Sequence, residues 1–201
     1  MPAIGITGGI STGKTSFCDE LRGIFPDAKF FNADQAAREL AELDEVKKEL
    51  RQAFGGDIFS SSGHLNRAKL RAIILESAEK KSALEKILHP RIRRQWSSEA
   101  QTSSSKFFFA DIPLLYETGG ESLCDRVVVV ACSPELQLGR LLARGQIDHS
   151  EAQKVIQSQM PLVEKISLAD HVVWNNGSQS RLAEQARLLA SLWREQTWTK
   201  I

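Results

Sequence analysis

The sequence predicts an α/β fold, a three-layer sandwich around a mostly parallel five-stranded sheet. Three observations predict it. Short apolar segments alternate with amphipathic ones along most of the chain. Two of them, Phe107-Phe108-Phe109-Ala110 and Val127-Val128-Val129-Val130-Ala131, are continuous apolar runs, as parallel strands buried on both faces require. The first segment, residues 3–7, runs straight into a glycine-rich turn that opens a helix.

The elements follow in order. Residues 14–25 carry Phe17, Leu21, Ile24 and Phe25 at helical spacing, and Pro26-Asp27 ends that helix. Lys29-Phe30-Phe31 is a second short strand, closed by Asn32-Ala33-Asp34. Residues 35–43 and 45–54 read as helices, the second stopped by Gly55-Gly56. Ser60-Ser61-Ser62-Gly63 is a turn. Residues 66–88 are helical with an interruption near Ser77. His89-Pro90 is expected to break the helix, because proline disfavours helix in the residue before it. A new helix then covers 91–100. The runs at 107–110 and 127–131 are the third and fourth strands, and His171-Val172-Val173-Trp174 is the fifth. Helices at 134–143, 150–159 and 181–193 complete the pattern, the last with Leu182, Ala186, Leu189, Ala190 and Trp193 on one face. Residues 35–105 thus form a helical insertion, and residues 1–34 with 106–201 form the core.

Composition narrows the function classes. The chain has 201 residues, 42% of them hydrophobic, enough for a compact core with an inserted subdomain. A net charge of +1 calls for neither a nucleic-acid nor a membrane partner. No apolar run approaches the roughly 18 residues of a membrane span. The first residues lack a basic stretch and read as a strand rather than a signal peptide. Cys18, Cys124 and Cys132 are too far apart for a metal motif and odd in number, so free thiols in a reducing cytoplasm are expected. A monomer is the expected state.

The turn after the first strand carries the chemistry. Gly8, Gly13, Lys14 and Thr15 complete the pattern G-x-x-x-x-G-K-[ST]. Its glycines admit left-handed backbone and close approach to phosphates. Successive N–H groups then form an anion nest capped by a helix N-terminus. Gly9, Ile10, Ser11, Thr12, Gly13, Lys14, Thr15 and Ser16 are the candidate nucleotide site, with Lys14 on the β- and γ-phosphates and Thr15 on Mg²⁺. A triphosphate, ATP, and Mg²⁺ are therefore expected in a P-loop NTPase fold. No N-K-x-D segment exists to read guanine, and the chain is short for a helicase or transporter ATPase. A small-molecule kinase fits best.

Four further groups are candidates. Asp34 follows the second strand, at the sheet edge where ligands bind in open α/β sheets. It is either a base for the acceptor hydroxyl or a helix cap. Asp111 ends an apolar strand as a Walker-B carboxylate does, and is either a Mg²⁺ ligand through water or a turn residue. Arg140 and Arg144, four apart, either neutralise charge on the phosphoryl group from a lid within about 140–165, or favour the helix C-terminus. Arg91, Arg93 and Arg94 read more readily as a solvated face than as phosphate ligands, and His89 as a structural hydrogen-bonding residue. The tryptophans suggest packing.

Several segments together resemble the dephospho-coenzyme A kinases. They are Ile6-Thr7-Gly8-Gly9-Ile10 into Gly13-Lys14-Thr15, Asn32-Ala33-Asp34, Phe54-Gly55, Gly63-His64-Leu65-Asn66-Arg67, and Leu84-Glu85-Lys86-Ile87-Leu88-His89-Pro90. Asp111-Ile112-Pro113-Leu114-Leu115-Tyr116-Glu117, Gln137 with Arg140 and Arg144, Gln159, and Ala169-Asp170 through Asn176-Gly177 continue the likeness over nearly the whole chain. The resemblance implies transfer of the γ-phosphoryl of ATP to the ribose 3′-hydroxyl of dephospho-coenzyme A. It implies Asp34 as catalytic base, with Lys14 and Arg140 beside it in catalysis. Arg67, His89, Pro113, Leu114, Leu115 and Glu117 would join Asp34 in shaping the acceptor site of a coenzyme A-binding insertion, and Arg144 would lie on the lid side near the nucleotide. Two departures stand out. Ser11-Thr12 replaces the family's usual Gly-Ser, and Asn32 replaces the first carboxylate of its Asp-Ala-Asp. The enzyme rival is another P-loop small-molecule kinase, for a nucleoside monophosphate or a shikimate-like acceptor. The other rival is a non-catalytic nucleotide-binding regulator.

Overall fold

The computed structural model describes residues 2–144 and 147–198. Strands β1 (Ala3–Gly8), β2 (Lys29–Asn32), β3 (Phe108–Asp111), β4 (Arg126–Ala131) and β5 (His171–Trp174) form one sheet in the order β2-β3-β1-β4-β5. Every neighbouring pair is parallel. Each residue of β1 and β3 is buried, because helices cover both faces of the central strands. That is why their sequences are mostly apolar instead of alternating, with Thr7 and Asp111 as buried polar exceptions. The helices are α1 (Lys14–Ile24), α2 (Ala33–Leu40), α3 (Asp44–Phe54), α4 (Arg67–Glu76), α5 (Ala78–Thr102), α6 (Pro134–Arg144), α7 (His149–Gln157), α8 (Leu162–Leu168) and α9 (Gln179–Glu195).

The chain divides into two compact units, residues 1–32 with 99–201, and residues 33–98. In the first, α1 and α9 pack together, and the core joins Ile4 and Ile6 of β1 to Phe17, Leu21, Val128, Val130, Leu182, Ala186 and Trp193. Phe25, Phe107 and Phe109 extend it with ring centroids 4.8 and 5.3 Å from Phe25. The second unit has its own core of Ala41, Val46, Leu50, Ile58 and Leu70, with Phe54, Leu84 and Ile87 against it.

Strand order places the function. The chain leaves β1 for β2, returns through β3, and then crosses to β4 on the far side of β1. The C-terminal ends of β1 and β3 therefore meet where the winding reverses, the position at which open α/β sheets bind ligands.

The expected helix break at His89-Pro90 does not occur: α5 runs unbroken from Ala78 to Thr102 with Pro90 inside it. Proline removes a backbone donor and loosens the turn before it. Here Arg91 donates its guanidinium to the Ile87 carbonyl at 2.7 Å, and its other nitrogen to Glu49 at 2.6 Å. A side chain thus serves a carbonyl of the turn that proline disturbs. The short helix α8 was not expected from periodicity. Gly145, expected to follow the helix end at Arg144, lies outside the described residues. Among the described residues no helix is long and apolar enough to cross a membrane.

Candidate functional site

The turn from β1 to α1 is built to leave N–H groups vacant. Gly13 precedes α1 with φ 94°, and no side chain caps the helix there. The first N–H groups of a helix have no internal partner, and an anion is their natural acceptor. Gly13 has a second reason to be glycine, since a Cβ there would run into the Asn175 amide. Ser11 also has positive φ, at 58°, and no other non-glycine among the described residues does. The departure from Gly-Ser is therefore accommodated by a serine in left-handed backbone.

The loop's carbonyls are held from behind. Gln137 of α6 donates to Ile10 O at 3.0 Å, and Gln159 accepts from Ile10 N at 3.1 Å. Thr12 O receives Asn175 Nδ2 at 2.9 Å and Arg140 Nη1 at 3.4 Å. Arg140 Nη2 reaches Asn175 O at 2.9 Å. A peptide's C=O and N–H point in opposite directions. Fixing the Ile10 and Thr12 carbonyls at the back thus turns the Ser11 and Gly13 N–H groups forward.

At the mouth, Lys14 Nζ pairs with Asp111 Oδ1, and Asn32 Nδ2 donates to Asp111 Oδ2 at 2.9 Å. The pairing follows from register, because Asn32 and Asp111 are direct partners at the ends of β2 and β3. Asp111 is only 2% exposed, so a charged partner and a neutral donor satisfy a carboxylate that water barely reaches. An aspartate at 32 would set a second carboxylate against it. The asparagine supplies a hydrogen bond where the family's usual residue would supply charge.

Thr15 is exposed at the start of α1. One buried carboxylate and one hydroxyl suit Mg²⁺, which keeps most of its waters and binds phosphate oxygens rather than a full protein cage. No group of three or more His, Cys, Asp or Glu that could hold a metal ion is found among the described residues.

The remaining expected residues fall into three sets. Glu117 Oε1 accepts from Met160 N at 3.0 Å and from Lys165 Nζ at 2.9 Å, while Pro113 O accepts from Thr7 Oγ1 at 2.9 Å. Both lie in the first unit with the loop. Leu114 is partly buried beside them in sequence. Leu115 is fully buried, and a Cβ on Gly5 would meet its Cδ2 at 2.7 Å. Arg140 is half-buried and occupied with loop and Asn175 carbonyls, whereas Arg144 is exposed at the end of α6.

Asp34, Arg67 and His89 belong to the second unit. Asp34 is exposed in the first turn of α2, one residue inside the helix and so not its cap. Arg67 opens α4 behind the Asn66 cap, whose side chain accepts from Lys69 N at 3.0 Å. His89 is half-buried in α5. The cysteines are free, and burial pushes the Cys18 and Cys124 thiols up to about 12, which suits packing and not nucleophilic chemistry.

Two residues of the site escape sequence reasoning. Asn175 follows an edge strand and reads as a turn residue. Lys165 reads as a surface lysine, yet it is fully buried behind the loop.

Comparison with known proteins identifies the family. Residues 2–181 match the family described as dephospho-CoA kinase. A dephospho-CoA kinase of Bacillus cereus is 36% identical over 194 residues, covering 94% of this chain and 96% of its own. The solved dephospho-CoA kinase from Campylobacter jejuni superposes with a TM-score of 0.68 at 25% identity, over 94% of this chain and 95% of that one. A shikimate kinase from Acinetobacter baumannii has a TM-score of 0.56 at 14% identity, covering 98% and 96%, a likeness of fold alone.

Proposed function

The chain belongs to the dephospho-coenzyme A kinase family, and from that premise we propose which of its residues carry out phosphoryl transfer from ATP. The observation that carries the reading is the uncapped start of α1, with Lys14 and buried Asp111 at its mouth. The vacant N–H groups receive the phosphates, and Lys14 leaves Asp111 to meet the β- and γ-phosphates. Such preorganised donors stabilise charge without reorganising at the moment of reaction. Thr15 and Asp111 would hold Mg²⁺, which neutralises phosphate charge when bound.

Asp34 is the proposed base, taking the proton of the ribose 3′-hydroxyl as it attacks the γ-phosphorus. Its support is its place two residues after Asn32, which is itself bonded to Asp111. Arg67, His89, Pro113, Leu114, Leu115 and Glu117 remain acceptor-site proposals that rest on the family resemblance. Arg140 is assigned to loop support, because its guanidinium is engaged there, and exposed Arg144 is the cation left for the nucleotide. The free thiols fit a reducing compartment, and a monomer is expected on sedimentation.

The test is a coupled ADP assay over a panel of acceptors. Dephospho-coenzyme A should drive ADP release, Lys14→Ala should abolish it, and Asp34→Asn should reduce it severely. Equal turnover of a nucleoside monophosphate, or none of dephospho-coenzyme A, would overturn the substrate assignment.

A further inference from the structure

Lys165 lies in α8 with 0% of its side chain exposed. A lysine has three N–H groups, and three acceptors surround this one. Glu117 Oε1 and Pro113 O are each 2.9 Å away, and Gly8 O is at 3.5 Å. Gly8 is the first glycine of the phosphate loop, and Pro113 stands two residues beyond Asp111. The ammonium therefore ties α8 to the ends of β1 and β3, the two strands that carry the site.

Burial alone does not explain a charge here. An ammonium and a carboxylate lose several kcal/mol each when taken out of water, and well-packed apolar residues often replace such a pair without loss of stability. The Gly8 and Pro113 carbonyls point toward the ammonium, and holding Gly8 O turns the Gly9 N–H away from Lys165. Lys14 Nζ pairs with Asp111, two residues before the Pro113 carbonyl that Lys165 holds.

We propose that Lys165 is a positioning residue for phosphoryl transfer: its buried ammonium fixes the backbone of Gly8 and Pro113 and adds a second positive charge behind Lys14. The inference rests on the reading of the loop as an ATP site. It also has a pH signature. Burial pulls the Lys165 pKa below the ordinary lysine value and Lys14 lowers it further, while Glu117 opposes both. The charge is lost as pH rises through that lowered value.

ATP binding measured by calorimetry without acceptor, together with Tm, tests the assignment. Lys165→Met should weaken ATP binding about tenfold, the size of one charge-assisted hydrogen bond. It should also lower Tm, because Glu117, whose side chain is 21% exposed, loses its cation and the buried Lys165 position loses its bonds to Pro113 and Gly8. The double variant Lys165→Met with Glu117→Gln removes that orphaned charge. It should recover Tm but not ATP affinity. In the wild type, ATP affinity should fall at alkaline pH over a range where Lys165→Met is flat. The assignment is overturned if ATP affinity is unchanged in Lys165→Met, or if it returns along with Tm in the double variant, since either result makes Lys165 a strut. Failure of the wild type itself to bind ATP would instead overturn the reading of the loop.

Discussion

Replacing Ser11 by glycine should stabilise the protein, although it deletes a buried side chain. Ser11 holds φ at 58° and is 8% exposed. Left-handed backbone costs an L-residue roughly 1–2 kcal/mol, from the approach of Cβ to the following carbonyl. Glycine escapes that cost but gives the unfolded chain more freedom, a loss of about 0.4–1 kcal/mol. The difference leaves a net gain of about 0.5–1 kcal/mol. For a chain of this size that corresponds to about 1–4 °C in Tm. Ser11→Val is the counter-test, because a β-branched residue tolerates this backbone least, and its Tm should fall. Both should be measured by thermal unfolding without nucleotide, since a bound ligand adds its own stabilisation. Ser11→Gly should keep ATP affinity within about twofold, as the loop's N–H groups and dihedrals are retained. A lower Tm for Ser11→Gly, or an unchanged Tm for Ser11→Val, would refute the argument that Ser11 carries strain.

Asn32→Asp should destabilise the free enzyme by about 1–3 kcal/mol at neutral pH, because it exchanges a hydrogen bond to Asp111 for a like charge at the same place. Titrating Mn²⁺ should restore much of that loss if the two carboxylates then share the cation, and chemical denaturation with and without Mn²⁺ reads both effects. His171 on β5 has its pKa lowered chiefly by burial, and its Nε2 has no hydrogen-bond partner. The unfolded chain therefore binds the proton more readily, so stability should fall as pH drops below about 6.5, the unfolded value. Tm measured from pH 7.5 to 5 should decline less steeply in His171→Gln than in the wild type. Arg91→Met should lower Tm, because it removes the donor that serves the Ile87 carbonyl one turn before Pro90 and leaves Glu49 without its partner.

What was legible in the sequence, and what was not, divides along the range of the interactions. The apolar runs at Phe107-Phe108-Phe109 and Val127-Val128-Val129-Val130 announce strands because burial on both faces acts on each residue separately. The phosphate loop is legible because its N–H groups belong to consecutive residues. Strand order is not, since it depends on pairings between β1, β3 and β4 that no local pattern encodes. At Pro90 the helix continues although proline disfavours helix in the preceding residue, and Arg91 one residue later bonds the Ile87 carbonyl. Side-chain direction is hidden for a related reason: a motif does not state which way each residue points, and Leu115 is fully buried against Gly5 while Glu117, two positions on, bonds Lys165. Lys165 is hidden by its chemistry, since lysine is almost never fully buried without a partner, and that partner is 48 positions away in the chain.

The phosphate loop divides along the same range of interactions. A glycine-rich loop can expose N–H groups, and Thr12 Oγ1 holds the Gly9 carbonyl from within it at 2.9 Å, but its other carbonyls need partners from elsewhere in the chain. The restraint comes from Gln137, Arg140, Lys165 and Asn175, whose side chains hold the Ile10, Thr12 and Gly8 carbonyls from behind. Preorganisation for an anion is therefore a property of two separate stretches of chain, one that offers donors and one that fixes their direction. The motif identifies the first stretch. The second is recognisable only once the fold has brought α6, α8 and the end of β5 against the loop. Loss of Asn175 or Lys165 should accordingly weaken ATP binding as loss of a loop donor would, though neither side chain needs to touch a phosphate.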